Sequence, residues 1–221
     1  MILTILSQHT LWLLRFTYKK LKEKLTVSDS KKLFHEQFPY VIPGLYKRVV
    51  DEMLVELNLL NHQTEFNQDP LFCVGLTETF KELTKGYNPE KHLVPLFESL
   101  CNSANFEPAK IREVSNKALL DYQEKSLKEI SNLLKEKSTS NLYSSRIINL
   151  GIYFIIAKAT DFNEIKDSER NKAISDIVKK LNLSANKAEK DIGIYKSSII
   201  KMQQAKELLQ EAKTKTKNKN V

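Results

Sequence analysis

The chain has 221 residues, of which 41% are apolar and 28% are charged, and only five are glycine and six are proline. This composition is that of an ordinary globular protein and excludes a disordered chain. So few turn-forming residues also argue against an all-β domain of this length.

The formal charge of +8 lies at the two ends of the chain. Residues 1–25 carry a net charge of +4 and residues 213–221 another +4, so residues 26–212 hold 26 basic and 26 acidic groups. A duplex-binding domain concentrates its basic residues on a folded face. The position of the excess positive charge at the two ends of the chain therefore argues against nucleic-acid binding. Basic ends fit an anionic membrane surface, an acidic partner or simple solvation.

Residues 1–25 are predicted to be an amino-terminal extension. Apolar residues run from Ile2 to Phe16 with an interruption at 8–10, and a basic cluster follows them, which is the reverse of a secretory signal. The run is shorter than the ~20 residues of a membrane-spanning helix. Three interpretations stay open: an interfacial anchor, a helix packed on the domain, or a segment upstream of the true start, which we favour.

Residues 26–182 are predicted to form one helical domain. Start signals at Thr26, Pro43, Asp69, Asn88 and Glu107 indicate helices that end near residues 38, 60, 84, 101 and 137. Pro95 is expected to kink the fourth of these helices or to delay its beginning. After a linker at 138–140, the apolar stretch 147–157 is predicted to be the central core helix, because eleven residues cannot span a bilayer. A further helix is predicted over about 163–181.

Residues 183–212 are predicted to form a long carboxyl-terminal helix capped by Ser184, and residues 213–221 a disordered basic tail. Within this helix Ile192, Tyr195, Ile199 and Met202 alternate three and four residues apart. This heptad seam is typical of a coiled coil, although it is too short to establish one. We name these four residues the candidate partner-binding seam, and packing against the protein's own domain is the equal alternative.

No pattern in the sequence indicates catalysis or a bound cofactor. The four histidines are scattered, and the metal-binding patterns Glu-x-x-His, Cys-x-x-Cys and His-Glu-x-x-His do not occur. The five glycines are isolated and form no phosphate-binding loop. Cys73 and Cys101 have apolar neighbours and are predicted to be buried structural thiols. We therefore predict a non-enzymatic all-α bundle without metal, cofactor or small-molecule substrate.

The helix predicted over 45–60 carries the most clustered carboxylates, Asp51, Glu52 and Glu56. Lys47 and Arg48 stand four residues before the first two, which is the spacing of ion pairs on a helix surface. We therefore interpret the cluster as a solvated face and not as a pair of acid–base carboxylates.

From residue 26 onward the sequence resembles the thylakoid formation protein family, also known as the photosystem II biogenesis accessory proteins. The resemblance covers about residues 26–212. It rests on an ordered set of segments, which are Thr26-Val-Ser-Asp-Ser-Lys31, the helix 45–60, Asp69-Pro-Leu-Phe, Gly86-Tyr-Asn-Pro89, Leu96-Phe-Glu-Ser-Leu-Cys101, Tyr143-Ser-Ser-Arg146, Gly151-Ile-Tyr153 and Glu189-Lys-Asp191.

This resemblance implies a peripheral protein on the cytoplasmic side of the thylakoid membrane. It implies a role in photosystem II assembly and repair and in thylakoid organisation, with an FtsH-type membrane protease or photosystem II assembly intermediates as partners. It carries over no catalytic or cofactor residue. The alternative function is that of a generic helical adaptor or of a nucleic-acid-binding protein that uses its basic ends.

Overall fold

A computed structural model describes residues 25–137 and 142–219, and for residues 137 and 213–219 it describes the backbone alone. Within these ranges the chain forms nine α-helices and one 3₁₀ helix, without a β-strand. The predicted all-α fold is confirmed. The predictions for residues 1–24, for the linker 138–140 and for residues 220–221 lie outside the described residues.

The helices follow one another closely along the chain. Helices α1 to α4 are Val27–Gln37, Gly44–Asn61, Pro70–Leu83 and Leu93–Asn102, and helices α5 to α9 are Pro108–Asp121, Leu127–Lys137, Arg146–Ile156, Asp167–Lys180 and Ala185–Lys219. A 3₁₀ helix, Glu90–His92, precedes α4. Pro95 therefore lies in the first turn of α4. Of the two effects predicted for it, a kink or a delayed beginning, the structure shows the delayed beginning.

Side-chain caps fix where several helices begin. At α1 the Asp29 amide donates to Thr26 Oγ1 over 3.1 Å and the Thr26 amide donates to the Asp29 carboxylate over 3.1 Å, which is the predicted capping box. At α3 the Phe72 amide donates to Asp69 Oδ1 over 2.9 Å. The first three helices accordingly agree with the predicted ends to within one residue.

The single helix predicted over 107–137 is wrong, because residues 122–126 separate α5 from α6. Ser126 and Glu129 form a capping box in which the Ser126 amide donates to Glu129 Oε2 over 2.8 Å and the Glu129 amide donates to Ser126 Oγ over 3.4 Å. Glu124 has a φ of 58°, in the left-handed region that no helix interior adopts. A cap contributes about 1 kcal/mol, and here it favours a new helix over continuation of the old one.

Helices α3 and α7 lie together at the centre of the molecule, and α3 also packs against α5 and α9. Its closest approach is to α7, where a Cβ atom on Gly75 would lie 1.9 Å from the Ile147 carbonyl oxygen and one on Gly151 would lie 1.9 Å from the Leu71 carbonyl oxygen. Only glycine permits such backbone contact. Nine residues of α7 are buried, so the prediction of a central core helix at 147–157 is confirmed.

Helix α9 packs along α7 and α8. It begins as predicted, with the Lys187 amide donating to Ser184 Oγ over 3.3 Å. It differs from the prediction at its other end, because residues 213–219, expected to be disordered, continue the helix to Lys219. Lysine is a good helix former, and extending an existing helix needs no new nucleation. The expectation of disorder considered only the lack of apolar residues to bury.

Candidate interaction groove

The candidate partner-binding seam faces the protein's own core. Ile192, Tyr195 and Met202 are 5%, 8% and 8% exposed, and Ile199 is half-buried against the same core. The Tyr195 ring meets Phe154 edge-on with centroids 5.4 Å apart, and burial raises the pKa of its phenol. The geometry is thus that of packing on the domain. Unless α9 moves, a partner could reach the seam only through the half-buried Ile199 and the small exposed part of Met202, so partner binding by the seam stays a prediction.

Next to the seam, α9 forms one wall of a groove whose other wall is α2. The two walls run antiparallel. Lys206 Nζ, late in α9, lies 5.9 Å from the ring centroid of Tyr46 at the start of α2, while the charge of Asp191, early in α9, acts on Glu56, late in α2. We call this the α2–α9 groove. Its α2 wall includes Leu45, Val49, Glu52, Val55, Glu56 and Leu59, and its α9 wall includes Lys190, Gly193, Ile194, Ser197, Lys201 and Met202.

The α2–α9 groove is long and open, with a volume of about 1160 Å³. At 1.5 Å per residue its α2 wall, from Leu45 to Leu59, spans roughly 21 Å, and its α9 wall, from Lys190 to Met202, spans roughly 18 Å. Leu59 is 53% exposed and Ile194, on the opposite wall, is 44% exposed. Small-molecule sites are typically about 300–1000 Å³ and enclose most of the ligand. These dimensions fit a short helix or peptide better.

At one end of the groove Glu56 of α2 pairs with Arg146 of α7. The guanidinium Nε and Nη2 atoms of Arg146 lie 2.9 and 2.6 Å from Glu56 Oε2. Burial raises the pKa of Glu56, and the charge and hydrogen bonds of Arg146 oppose that rise. Two hydrogen bonds from one planar guanidinium fix orientation as well as distance. The pair therefore holds α2 in place relative to α7.

A second polar contact joins α7 to α9. Asn149 Nδ2 donates to Asp191 Oδ2 over 2.7 Å, and both side chains are buried. The Asn149 side-chain oxygen is buried and has no hydrogen-bond partner among the residues that the structure describes. Breaking the bond from Asn149 to the Asp191 carboxylate would leave a buried charged group without this donor, so the bond favours the arrangement in which it forms. This contact fixes how α9 sits on α7 and hence the position of one groove wall.

The sequence interpretation of the acidic cluster on α2 is only partly confirmed. Arg48 Nε lies 2.8 Å from Glu52 Oε1, which is the expected surface ion pair. Glu56, in contrast, is not part of a solvated face, since it pairs with Arg146, 90 residues away. Helical periodicity places Glu56 beside Glu52 but does not show which helix lies opposite. The sequence marks Arg146 only as part of a segment that carries the family resemblance, and it does not indicate that Arg146 pairs with Glu56.

The two thiols are buried, as predicted. Cys73 is 2% exposed and Cys101 is 0% exposed, and burial raises the pKa of each to about 12. Neither is a thiolate at neutral pH, so neither is an activated nucleophile. Within residues 25–137 and 142–219, no three His, Cys, Asp or Glu side chains cluster as metal ligands. Across the same ranges, none of the helices has the length and hydropathy needed to cross a bilayer.

These features define a class of protein, an all-α chain with a long carboxyl-terminal helix and an open groove between two helices. The sequence of residues 26–221 matches the family model described as thylakoid formation protein. The chain belongs to the thylakoid formation protein family.

Relatives of known name agree with this assignment. Protein Thf1 of Prochlorococcus marinus subsp. pastoris is 81% identical over 197 residues, which are 89% of this chain and 98% of that protein. Protein Thf1 of Prochlorococcus marinus strain MIT 9312 is 69% identical over 201 residues, which are 91% of this chain and 100% of that protein. The solved structure of Psb29 is 26% identical, with a TM-score of 0.71 over 80% of this chain and 98% of that chain.

Proposed function

We propose that this protein is a non-catalytic accessory factor in photosystem II biogenesis and repair and in thylakoid membrane organisation. It binds a membrane FtsH-type protease, photosystem II assembly intermediates, or both. The observation that carries the proposal is the open α2–α9 groove on a member of the thylakoid formation protein family. A surface of this size and openness offers side chains to a macromolecule and does not enclose a substrate.

The proposed location is the cytoplasmic face of the thylakoid membrane, with peripheral attachment. The four lysines within residues 213–221 support it, since each basic residue near an anionic membrane surface contributes about 1 kcal/mol. Salt screens this attraction. Washing isolated thylakoids with 1 M salt should therefore release the protein, and added protease should degrade it on intact membranes. Retention after the wash would contradict peripheral electrostatic attachment. Protection from the protease would contradict a position on the cytoplasmic face.

Co-purification tests the proposed partners. Full-length tagged protein is incubated with solubilised thylakoids, and the bound proteins are quantified by mass spectrometry against a tagged helical protein of similar charge. We expect enrichment of protease subunits or photosystem II assembly intermediates. Recovery of neither group above the control would contradict the proposed function.

A further inference from the structure

We infer that the α2–α9 groove binds an acidic amphipathic helix of a partner protein. This inference rests on the proposed function and specifies the chemistry of the partner segment. It does not depend on which thylakoid protein carries that segment.

The apolar side chains of the groove fit a helix. Leu59 and Ile194 stand on opposite walls and are each about half exposed, and Val49 of α2 is half-buried and lines the same groove. A helix bound in a groove places its apolar residues at i, i+3, i+4 and i+7 against such walls. The wall lengths of roughly 18 and 21 Å correspond to a helix of about 12 to 14 residues.

The charges of the groove fit an acidic partner. Two of its five cations are neutralised within it, Arg48 by Glu52 at 2.8 Å and Arg146 by Glu56 at 2.6 Å. One further acid, Asp51, lines the groove. The other three cations, which form no ion pair with any carboxylate of residues 25–137 or 142–219, are Lys31, Lys190 and Lys201. The groove therefore has a net positive charge, and electrostatic complementarity favours a negatively charged segment.

The same charge argument disfavours occupants from this chain. Residues 1–24 carry a net charge of +4, the same sign as the groove. A second copy would offer a body, residues 26–212, in which 26 basic and 26 acidic groups balance. Neither has the net negative charge that would complement the three lysines. A separate acidic partner is the occupant that the charges favour.

Photo-cross-linking tests the inference directly. A photoreactive amino acid replaces Ser197, which is exposed on the α9 wall, in the full-length protein, and the cross-linked peptide from solubilised thylakoids is sequenced by mass spectrometry. The control position is Asn132, which is exposed on α6. We expect a peptide with net negative charge and apolar residues three and four apart. A basic or neutral peptide, a peptide from this chain, or no yield above the control would overturn the inference.

Charge reversal gives a second readout on the same full-length protein. Changing Lys190→Glu together with Lys201→Glu should lower the cross-link yield from position 197 about tenfold, because the negative charge introduced at each position would repel the acidic helix. The matched variant Lys128→Glu with Lys135→Glu makes the same charge change on the exposed face of α6 and should stay within about twofold of wild type. Equal loss in both variants, or none in the first, would overturn the inference. The proposed function would still stand if the wild-type protein recovers the protease or photosystem II intermediates.

Discussion

Replacing Gly75 by alanine places a methyl group where α3 and α7 are in backbone contact. The added Cβ atom would lie 1.9 Å from the Ile147 carbonyl oxygen and 2.9 Å from its carbonyl carbon. Both are backbone atoms, so no rotamer change relieves the overlap. An ordinary separation of 3.4 Å requires the two helices to part by about 1.5 Å, which is 3.4 Å less 1.9 Å.

The loss of stability in Gly75→Ala depends on the side-chain packing that is loosened when the two helices part. Phe72 and Leu76 on α3, and Ile148 and Ile152 on α7, are all 0% exposed. Overpacking costs about 1–3 kcal/mol, and the voids opened around the parted helices add to that. Alanine recovers about 0.5–1 kcal/mol through its better helix propensity. We expect a net fall of about 1–3 kcal/mol in the free energy of unfolding.

Urea unfolding followed by far-ultraviolet circular dichroism measures this free energy. The matched control is Gly193→Ala, the same substitution inside α9, where a Cβ atom meets nothing within 4 Å. That variant should gain about 0.5–1 kcal/mol. The two variants should therefore change stability in opposite directions. Wild-type stability in Gly75→Ala, or a loss in Gly193→Ala, would refute the reasoning from backbone contact.

Further predictions concern the buried polar groups. Cys73 and Cys101 should react with a maleimide at pH 8 only as fast as the protein opens, and rapid labelling of the native protein would contradict their burial. The free energy of unfolding should also fall as the pH rises from 9.0 to about 12, because the thiols ionise in the unfolded chain before they ionise in the folded protein. Asp69→Ala should lower the free energy of unfolding by about 1 kcal/mol in urea, and Asp69→Asn, which keeps a cap acceptor, by clearly less; equal losses would contradict the cap. Arg146→Met should cost about 1–3 kcal/mol at pH 7, because the buried carboxylate of Glu56 loses its cation. This loss should shrink as the pH falls through the raised pKa of Glu56, since protonation removes the charge, and urea titrations showing an equal loss at pH 7 and pH 5 would contradict it.

The helices with strong local signals could be predicted from the sequence. The cap at Asp69 and the apolar period of 45–60 depend on residues three or four positions apart, so they are visible without a structure. The break between α5 and α6 also has a local signal, the capping box of Ser126 and Glu129. The predicted helix runs through this break because its apolar stripe continues across it.

The groove could not be predicted, because it depends on which helices lie side by side. Each wall by itself is an ordinary amphipathic helix with a charged face. Glu56 is separated from Arg146 by 90 residues, and Asn149 from Asp191 by 42, and no periodicity connects them. The seam on α9 was visible as a pattern, but its burial depends on where α9 sits. A heptad pattern is the same whether the helix packs on its own domain or on a partner.

The central claim is that this member of the thylakoid formation protein family acts as an accessory factor through the α2–α9 groove. The most direct test is quantitative co-purification from solubilised thylakoids with three full-length proteins: wild type, the Lys190→Glu and Lys201→Glu variant, and the Lys128→Glu and Lys135→Glu control. We expect wild type and control to recover equal amounts of FtsH-type protease or photosystem II subunits, and the groove variant to recover about tenfold less. Equal recovery by all three proteins, or recovery by none, would contradict the claim.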